Sequence, residues 1–400
     1  MAAKRLRRRV ITRACGDRGA FRAQRHRWRM RSSTFTRARP CCTWRAREVS
    51  LASISRRSFR PIARGLTIQS LPLVAFQDLV QNAAALHRTS ASATAALGRV
   101  LTGSLLLAAS KGDGPEQTVQ VSLKGDGPLG TIQVLANAAG MAKGRVAGDA
   151  LWAPPASSAG AAAVDVPSAV GRAGVLTVIR RDETLSEYTG AQQMGITELA
   201  TGSVAEDLAK YLADSEQIQS ALALSETLAP PPTDGATPGF CVASAGGFLL
   251  QALPEALPST LSALEARVRA MPPLSTLLDD YEEGKERGKG RGGEGEGGGE
   301  GEEGPTLGER VAALVFGEEA GDLWETSGAM GVRRGPRRAL GYGPCGTGDL
   351  RDRMLRTLRM LGAEDVRDIL AKEGRVEMEC DFCRELITFS PQELQTEGVL

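Results

Sequence analysis

Cys380 and Cys383 flank Asp381-Phe382, and a single further cysteine, Cys345, precedes them in the last part of the chain. Two thiols at this spacing can hold one metal ion as thiolates or close a small disulfide, and the same sulfurs cannot do both at once. Either chemistry makes the pair responsive to its redox surroundings. Cys345 is the next candidate ligand, which gives a set of Cys345, Cys380 and Cys383 for a metal and Cys380 with Cys383 for a disulfide. Cys241 stands just before the apolar run Phe248-Leu249-Leu250 and reads as a packed core thiol.

Other chemistry is scarce. Beyond His26 the chain has one histidine, His87, expected on a helix surface, so histidine catalysis and histidine-rich metal sites lack material. Ser90, Ser92 and Thr94 have no identifiable base and orienting acid, so they make no triad. Lys124-Gly125-Asp126-Gly127 reads as a hairpin turn and not as a phosphate loop, because no helix start follows it. Without a catalytic constellation the chain does not read as an enzyme. A thiol-disulfide oxidoreductase remains an alternative, but it would set its C-x-x-C at a helix start inside a thioredoxin-like unit, and here the pair follows a strand. A zinc-ribbon nucleic-acid binder is the other alternative.

The elements that must position these thiols follow from periodicity. Phe76, Leu79, Val80 and Ala83 fall on one helical face, and Leu97, Val100, Leu101 and Leu105 continue the stripe in a second, Ala/Leu-rich helix expected to be buried. Arg88-Thr89-Ser90 between them offers a cap. Val119, Val121 and Leu123 alternate with polar residues, the turn Gly125-Asp126-Gly127-Pro128 follows, and Ile132 and Val134 resume the alternation, which predicts a hairpin. Further strands are expected at 144–146, 175–179, 220–224 and 248–250, with a helix at 204–212 and no opening strand before Phe76. Strands and helices in mixed order predict an α+β domain with a largely antiparallel sheet. Near the C-terminus, Met354, Leu358 and Leu361 mark one helix and Val366, Ile369 and Leu370 another. Val376 and Met378 lead a short strand into Cys380, and Ser390-Pro391-Gln392-Glu393 is a helix start.

Charge divides the chain. The formal net charge of +2 conceals a first segment, 1–64, with 19 Arg and 1 Lys against Asp17 and Glu48, or +18, and a remainder with 29 basic and 45 acidic residues, or −16. The Arg-, Ser- and Thr-rich segment 1–64 reads as a transit peptide, expected for the chloroplast stroma or alternatively the mitochondrial matrix. Cys15, Cys41 and Cys42 would leave with it. The acidic remainder argues against a nucleic-acid partner. No run of about 18 uninterrupted apolar residues predicts a membrane span. The expected organisation is a domain over 66–256, a linker over 257–335 with a Gly/Glu-rich disordered insert at 281–304, and a small C-terminal domain over 336–400.

The runs Ser92-Ala93-Thr94-Ala95-Ala96-Leu97-Gly98-Arg99, Lys124-Gly125-Asp126-Gly127-Pro128-Leu129-Gly130, Tyr188-Thr189-Gly190, Ala205-Glu206-Asp207-Leu208, Ser215-Glu216-Gln217, Ala245-Gly246-Gly247-Phe248-Leu249-Leu250-Gln251 and Cys380-Asp381-Phe382-Cys383 stand in an order that resembles the 33 kDa chaperonin family of redox-regulated heat-shock holdases. Each run alone is weak, and seven in order over most of the chain are specific. The resemblance implies an N-terminal mixed helix/sheet chaperone domain, a helical linker and a C-terminal zinc-binding redox domain. It implies an ATP-independent chaperone of the stress response, with unfolded client proteins as partners and a homodimer when oxidised. It implies one zinc ion held by a C-x-C and a C-x-x-C pair in the reduced state, and disulfides that expel the zinc on oxidation.

One departure bears on that metal. Thr347 and Asp349 stand where the family's C-x-C belongs, and Cys345 lies two residues too early. Three thiolates remain, with Asp349, water or Cys241 as the candidate fourth ligand. Cys345 lacks a C-x-C partner, so on oxidation it is expected to stay free or to bridge two chains.

Overall fold

The computed structural model describes residues 57–59, 68–70, 74–110, 115–154, 164–182, 192–230, 239–252, 258–279, 311, 314–315, 340–343, 345 and 347–400, with side chains from 76 onward except at 260 and 347–349. The insert 281–304 lies outside the described residues, as does segment 1–64 apart from 57–59. The chain divides into two compact units, one running to Tyr342 and one containing Gly343–Leu400.

The first unit is α+β. Its larger sheet takes the order β11-β6-β5-β4-β7-β8, formed by Gln117–Gly125 (β4), Thr131–Asn137 (β5), Met141–Val146 (β6), Gly174–Asp182 (β7), Gln192–Glu198 (β8) and Gly341–Tyr342 (β11). Every pairing is antiparallel except β11 on β6. The hairpin β4–β5 forms where the alternation predicts it, with Val121 opposite Val134 and Leu123 opposite Ile132. A second sheet is built on Cys241–Ala252 (β10), which pairs along its length with Ser220–Ala229 (β9). On its other side β10 takes Ile68–Ser70 (β2) and Val74–Ala75 (β3), and Arg57–Phe59 (β1) adds to β2.

Strands before Phe76 therefore exist where none was expected. With three residues in β2 and two in β3, neither is long enough for alternation to register in the sequence. β8 also escaped the sequence reading. Its apolar residues Met194 and Ile196 stay exposed, and the alternate positions on the other face are Gln193, Gly195 and Thr197, none of them a large apolar residue.

The helix Ala91–Ala109 (α2) packs against both sheets and is buried nearly all round. By length and composition it could cross a membrane, but it forms the centre of the protein core, as its Ala/Leu content predicts. Ser90 caps it by accepting the Ala93 N–H. Gly98 lets Gln77–His87 (α1) approach, since an added Cβ would stand 2.9 Å from Val80 Cγ1. At the other end Arg180 donates to the Leu107 carbonyl at 2.8 Å and pairs with Glu216 at 2.7 Å. Tyr211, on the helix Val204–Asp214 (α4), donates to the same carboxylate at 2.9 Å, and burial pushes its phenol up to about 12. The short helix Val166–Val170 (α3) closes over the Gly125–Gly127 turn. Pro258–Ala270 (α5) and a helical turn at 274–279 lie over β10, where Leu277 and Leu278 cluster with Phe248.

Candidate metal centre

The second unit is short, and its sequence spends nearly every apolar residue on one small core. Thr347–Leu361 (α6) and Ala363–Glu373 (α7) are two consecutive helices joined at Gly362, whose φ of 101° only glycine adopts readily. Met354 and Leu358 from α6 and Val366 from α7 are fully buried, on the faces their spacing predicts. Val376–Glu379 (β12) and Leu386–Phe389 (β13) make a two-stranded hairpin that places Val376, Met378 and Phe389 in the same core. Pro391–Thr396 (α8) starts at Ser390, which accepts the Glu393 N–H as the sequence predicts. Arg351 lies over the Phe389 ring at 4.7 Å and pairs with Glu393, tying α6 to the hairpin and α8.

The hairpin turn is the cysteine knuckle. The Cys380 N–H donates to the Glu385 carbonyl at 2.9 Å, and the Arg384 N–H donates back to the Cys380 carbonyl at 2.8 Å. Arg384 takes a left-handed backbone, φ 57°, to close this turn, and nothing in its residue type announces that. The turn brings Cys383 to Cys380. Cys345, on the segment entering α6, completes a group in which the three sulfurs all lie within 4.8 Å of one another, with Cys345 and Cys380 Sγ 3.9 Å apart. A tetrahedral zinc ion with bonds of about 2.3 Å to sulfur needs S···S edges of about 3.8 Å, so the cluster has the size such an ion requires.

Its surroundings are apolar. Cys345 and Cys380 are buried, Cys383 is half-buried, and Leu350, Met378, Phe382 and Phe389 belong to the same cluster. Burial pushes the Cys383 thiol up, the neighbouring Cys380 sulfur adds to the rise, and the Glu385 N–H partly offsets them. A thiol shifted upward in this way holds its proton more firmly until a cation draws it off, as a coordinated metal would. Three soft sulfur donors, with no imidazole beside them among the described residues, suit zinc and fit poorly with hard cations such as magnesium or calcium.

The structure thus brings together all three ligands expected from the sequence. Cys241 belongs to the other unit, on β10, buried and donating weakly to the Pro230 carbonyl at 3.7 Å, in the core position its sequence context predicts. Thr347 and Asp349 lie in the first turn of α6, with side chains outside the described residues. His87 is not on a surface. It is buried at the end of α1, with its Nε2 2.8 Å from the Tyr342 hydroxyl, a partner so distant in sequence that helical position alone could not reveal it.

Known proteins resemble this chain in sequence and fold. The family described as Hsp33 protein matches residues 63–287 and 345–390, which breaks off inside the Gly/Glu-rich insert and resumes at the first cysteine of the cluster. A 33 kDa chaperonin of Geobacter sulfurreducens is 32% identical over 336 residues, 84% of this chain and 92% of that protein. That of Syntrophotalea carbinolica is 31% identical over 308 residues, 77% of this chain and 87% of that one. The crystal structure of the 33 kDa chaperonin from Thermotoga maritima shares the fold, with a TM-score of 0.58 over 85% of this chain and 96% of that chain at 20% identity. With a family match over more than half its length and relatives aligned over most of theirs, the chain belongs to the Hsp33 family.

Proposed function

We propose that the protein is an ATP-independent holdase whose small C-terminal unit is a redox switch. Membership of a chaperone family supports the holdase part. The observation that carries the switch is that Cys345 and Cys380 are themselves core residues of the unit they would staple. A core in a unit of about 60 residues rarely supplies more than about 3–5 kcal/mol, whereas zinc on thiolates contributes on the order of 10 kcal/mol. The metal term therefore decides whether the unit is folded.

When bound, zinc supplies a charge that holds the thiols as thiolates and cross-links the knuckle to the segment before α6. A peroxide-class oxidant removes two electrons from Cys380 and Cys383. Two protons from solvent go to the reduced oxidant, the two thiolates form one S–S bond, and neither sulfur could then hold the metal. The unit then opens and offers apolar residues such as Met354, Leu358 and Phe389 to unfolding clients. On this reading zinc is bound at one ion per chain, the oxidised form is a homodimer, and the basic segment 1–64 directs import into the chloroplast stroma or, alternatively, the mitochondrial matrix. No enzymatic turnover is involved.

Light scattering of a heat-unfolding client tests the reading. Oxidised protein is expected to suppress aggregation without ATP, and reduced, zinc-loaded protein to do so poorly. Equal suppression by both forms would remove redox control while leaving the holdase intact.

A further inference from the structure

Among the described residues β8 ends the larger sheet, with β7 on one side and no strand on the other. Its peptide groups divide by parity. The Leu199 N–H donates to the Gly174 carbonyl at 3.0 Å, and the β7–β8 register continues from there, so residues 193, 195 and 197 bond to β7. Residues 192, 194, 196 and 198 turn their N–H and C=O groups outward. The Glu198 carbonyl agrees, because it accepts from Lys210 Nζ on α4 at 2.9 Å. The two faces of β8 also differ. Met194 and Ile196 are 60% and 57% exposed and lie beside Ile179 and Thr177 of β7. The other face is closed by α4, since a Cβ added to Gly195 would stand 2.6 Å from the Tyr211 ring. Soluble proteins ordinarily guard a sheet edge with charge, proline or a bulge. From Gln192 to Thr197 β8 has no charged residue and no proline, and its pairing with β7 is regular.

We propose that β8 pairs antiparallel with β8 of a second copy of this chain, across a two-fold axis at Gly195, and so joins two larger sheets into one. The inference rests on the homodimer proposed above and names the surface that forms it. Symmetry and parity select the register. Pairing about Gly195 sets Met194 opposite the partner's Ile196 and Ile196 opposite the partner's Met194. Both are positions whose peptide groups point outward, so the backbone bonds and the apolar cross-strand pairs form together. An axis at Met194 or at Ile196 would instead set an apolar residue against Gln192 or Glu198. Charge agrees with the same register. Glu198 comes opposite the partner's Gln192, one strand from the partner's Arg181, so acid and base approach at each end of the pairing. An unfolded client added to this edge would gain the backbone bonds without these matched side chains. Two seven-residue strands make a small interface beside the ~1,600 Å² of a standard one, so the dimer is reversible.

Hydrogen exchange read at single amides of the oxidised full-length protein tests this, beside sedimentation velocity over a concentration series. The expected result is a dimer that dissociates on dilution. The Met194 and Ile196 amides should exchange freely in the monomer and become protected as the dimer forms, while Gly195 and Thr197, bonded to β7, stay protected at every concentration. Ile196→Lys removes two apolar cross-strand pairs, one from each half of the interface, so the dissociation constant should rise about tenfold or more. Unchanged protection of Gly195 and Thr197 in the variant shows that β8 still lies on β7. A dimer of undiminished affinity in Ile196→Lys, or a native dimer whose Met194 and Ile196 amides exchange freely, overturns this surface and leaves the homodimer standing. Protein that stays monomeric at every concentration overturns both. Protection of the two amides only when a heat-unfolded client is added to a monomeric chain assigns the edge to clients and overturns pairing between copies.

Discussion

The hydroxyl of Tyr342 stands 2.8 Å from Nε2 of His87, 255 residues earlier in the chain. The same hydroxyl donates to the Gly144 carbonyl at 2.6 Å and accepts the Gly144 N–H at 3.2 Å. Because its one proton goes to the carbonyl, the hydroxyl must accept from the imidazole, which assigns the ring proton to Nε2. Tyr342 thereby fixes β11 to β6 and to the end of α1, in the last residue of the first unit and three positions before Cys345.

Tyr342→Phe keeps the ring and deletes only this hydroxyl, leaving the Gly144 N–H and the His87 N–H without it. Losing a buried hydrogen-bond partner costs about 1–3 kcal/mol. Urea unfolding of the variant should show destabilisation in that range, with faster amide exchange at Gly341–Tyr342. Unchanged stability would mean that the two-residue strand is held by its backbone pairing alone.

Glu226 makes a pH prediction of unusual sign. It accepts three hydrogen bonds from the Arg99 guanidinium at 2.7–3.0 Å inside the first unit, yet burial raises its carboxyl above the ordinary value of 4.5 by more than Arg99 lowers it. Between 4.5 and the raised folded value the folded state binds more protons than the unfolded one. This group's contribution to stability is therefore largest below that window and declines as pH rises through it. Glu226→Gln removes the titration, so unfolding free energies measured from pH 4.5 upward should fall less with pH in the variant than in the native protein. A native curve that rises more steeply than the variant's would show that Arg99, and not desolvation, controls the group.

Much of this was legible in the sequence, for a physical reason. The hairpin β4–β5, the buried α2 and the two helices before the knuckle each carry a strict hydrophobic period, and their faces are where the period puts them. Cys345, Cys380 and Cys383 were also legible as a group, because residue type alone limits who can bind a soft metal. What the sequence concealed was carried by distance or by backbone. β2 and β3 are too short for a period, and β8 turns Met194 and Ile196 to solvent, so its pattern gives no core signal. His87 is buried by a tyrosine from the far end of the unit, and the Arg384 turn depends on a backbone conformation that arginine does not advertise.

Asp279 is the polar contact under the helical cover of β10. It accepts from Ser244 Oγ at 2.8 Å and from Thr227 Oγ1 at 3.4 Å, beside the register shift between Val242 and Ser244. Leu277 and Leu278 next to it pack on the Phe248 cluster. Asp279→Ala leaves the buried Ser244 hydroxyl unpartnered and removes the polar tie while keeping the leucines. Protease cleavage within 258–279 and binding of an apolar dye should both increase, with the sheet circular dichroism signal unchanged. If cleavage in that span stays at the native rate, the leucines hold the cover by themselves.

Oxidation should join Cys380 to Cys383, because the knuckle holds the two sulfurs within 4.8 Å on one short turn, and leave Cys345 as the odd thiol. In the folded unit Cys345 is buried 3.9 Å from Cys380 Sγ, which gives it an intramolecular partner nearer than any second chain. A covalent dimer through Cys345 should thus appear only after the unit has opened. Cys383→Ser separates these routes: with its usual partner gone, Cys380 should pair with Cys345, and the variant oxidised under folding conditions should run as a monomer on a non-reducing denaturing gel. In Cys345→Ser the Cys380–Cys383 bridge should form as before. Thiol labelling with peptide mass spectrometry reads each pairing. A Cys383→Ser protein that yields mainly disulfide-linked dimers without denaturant, or a native protein whose first bridge joins Cys345 and Cys380, would show that the knuckle does not direct the first disulfide.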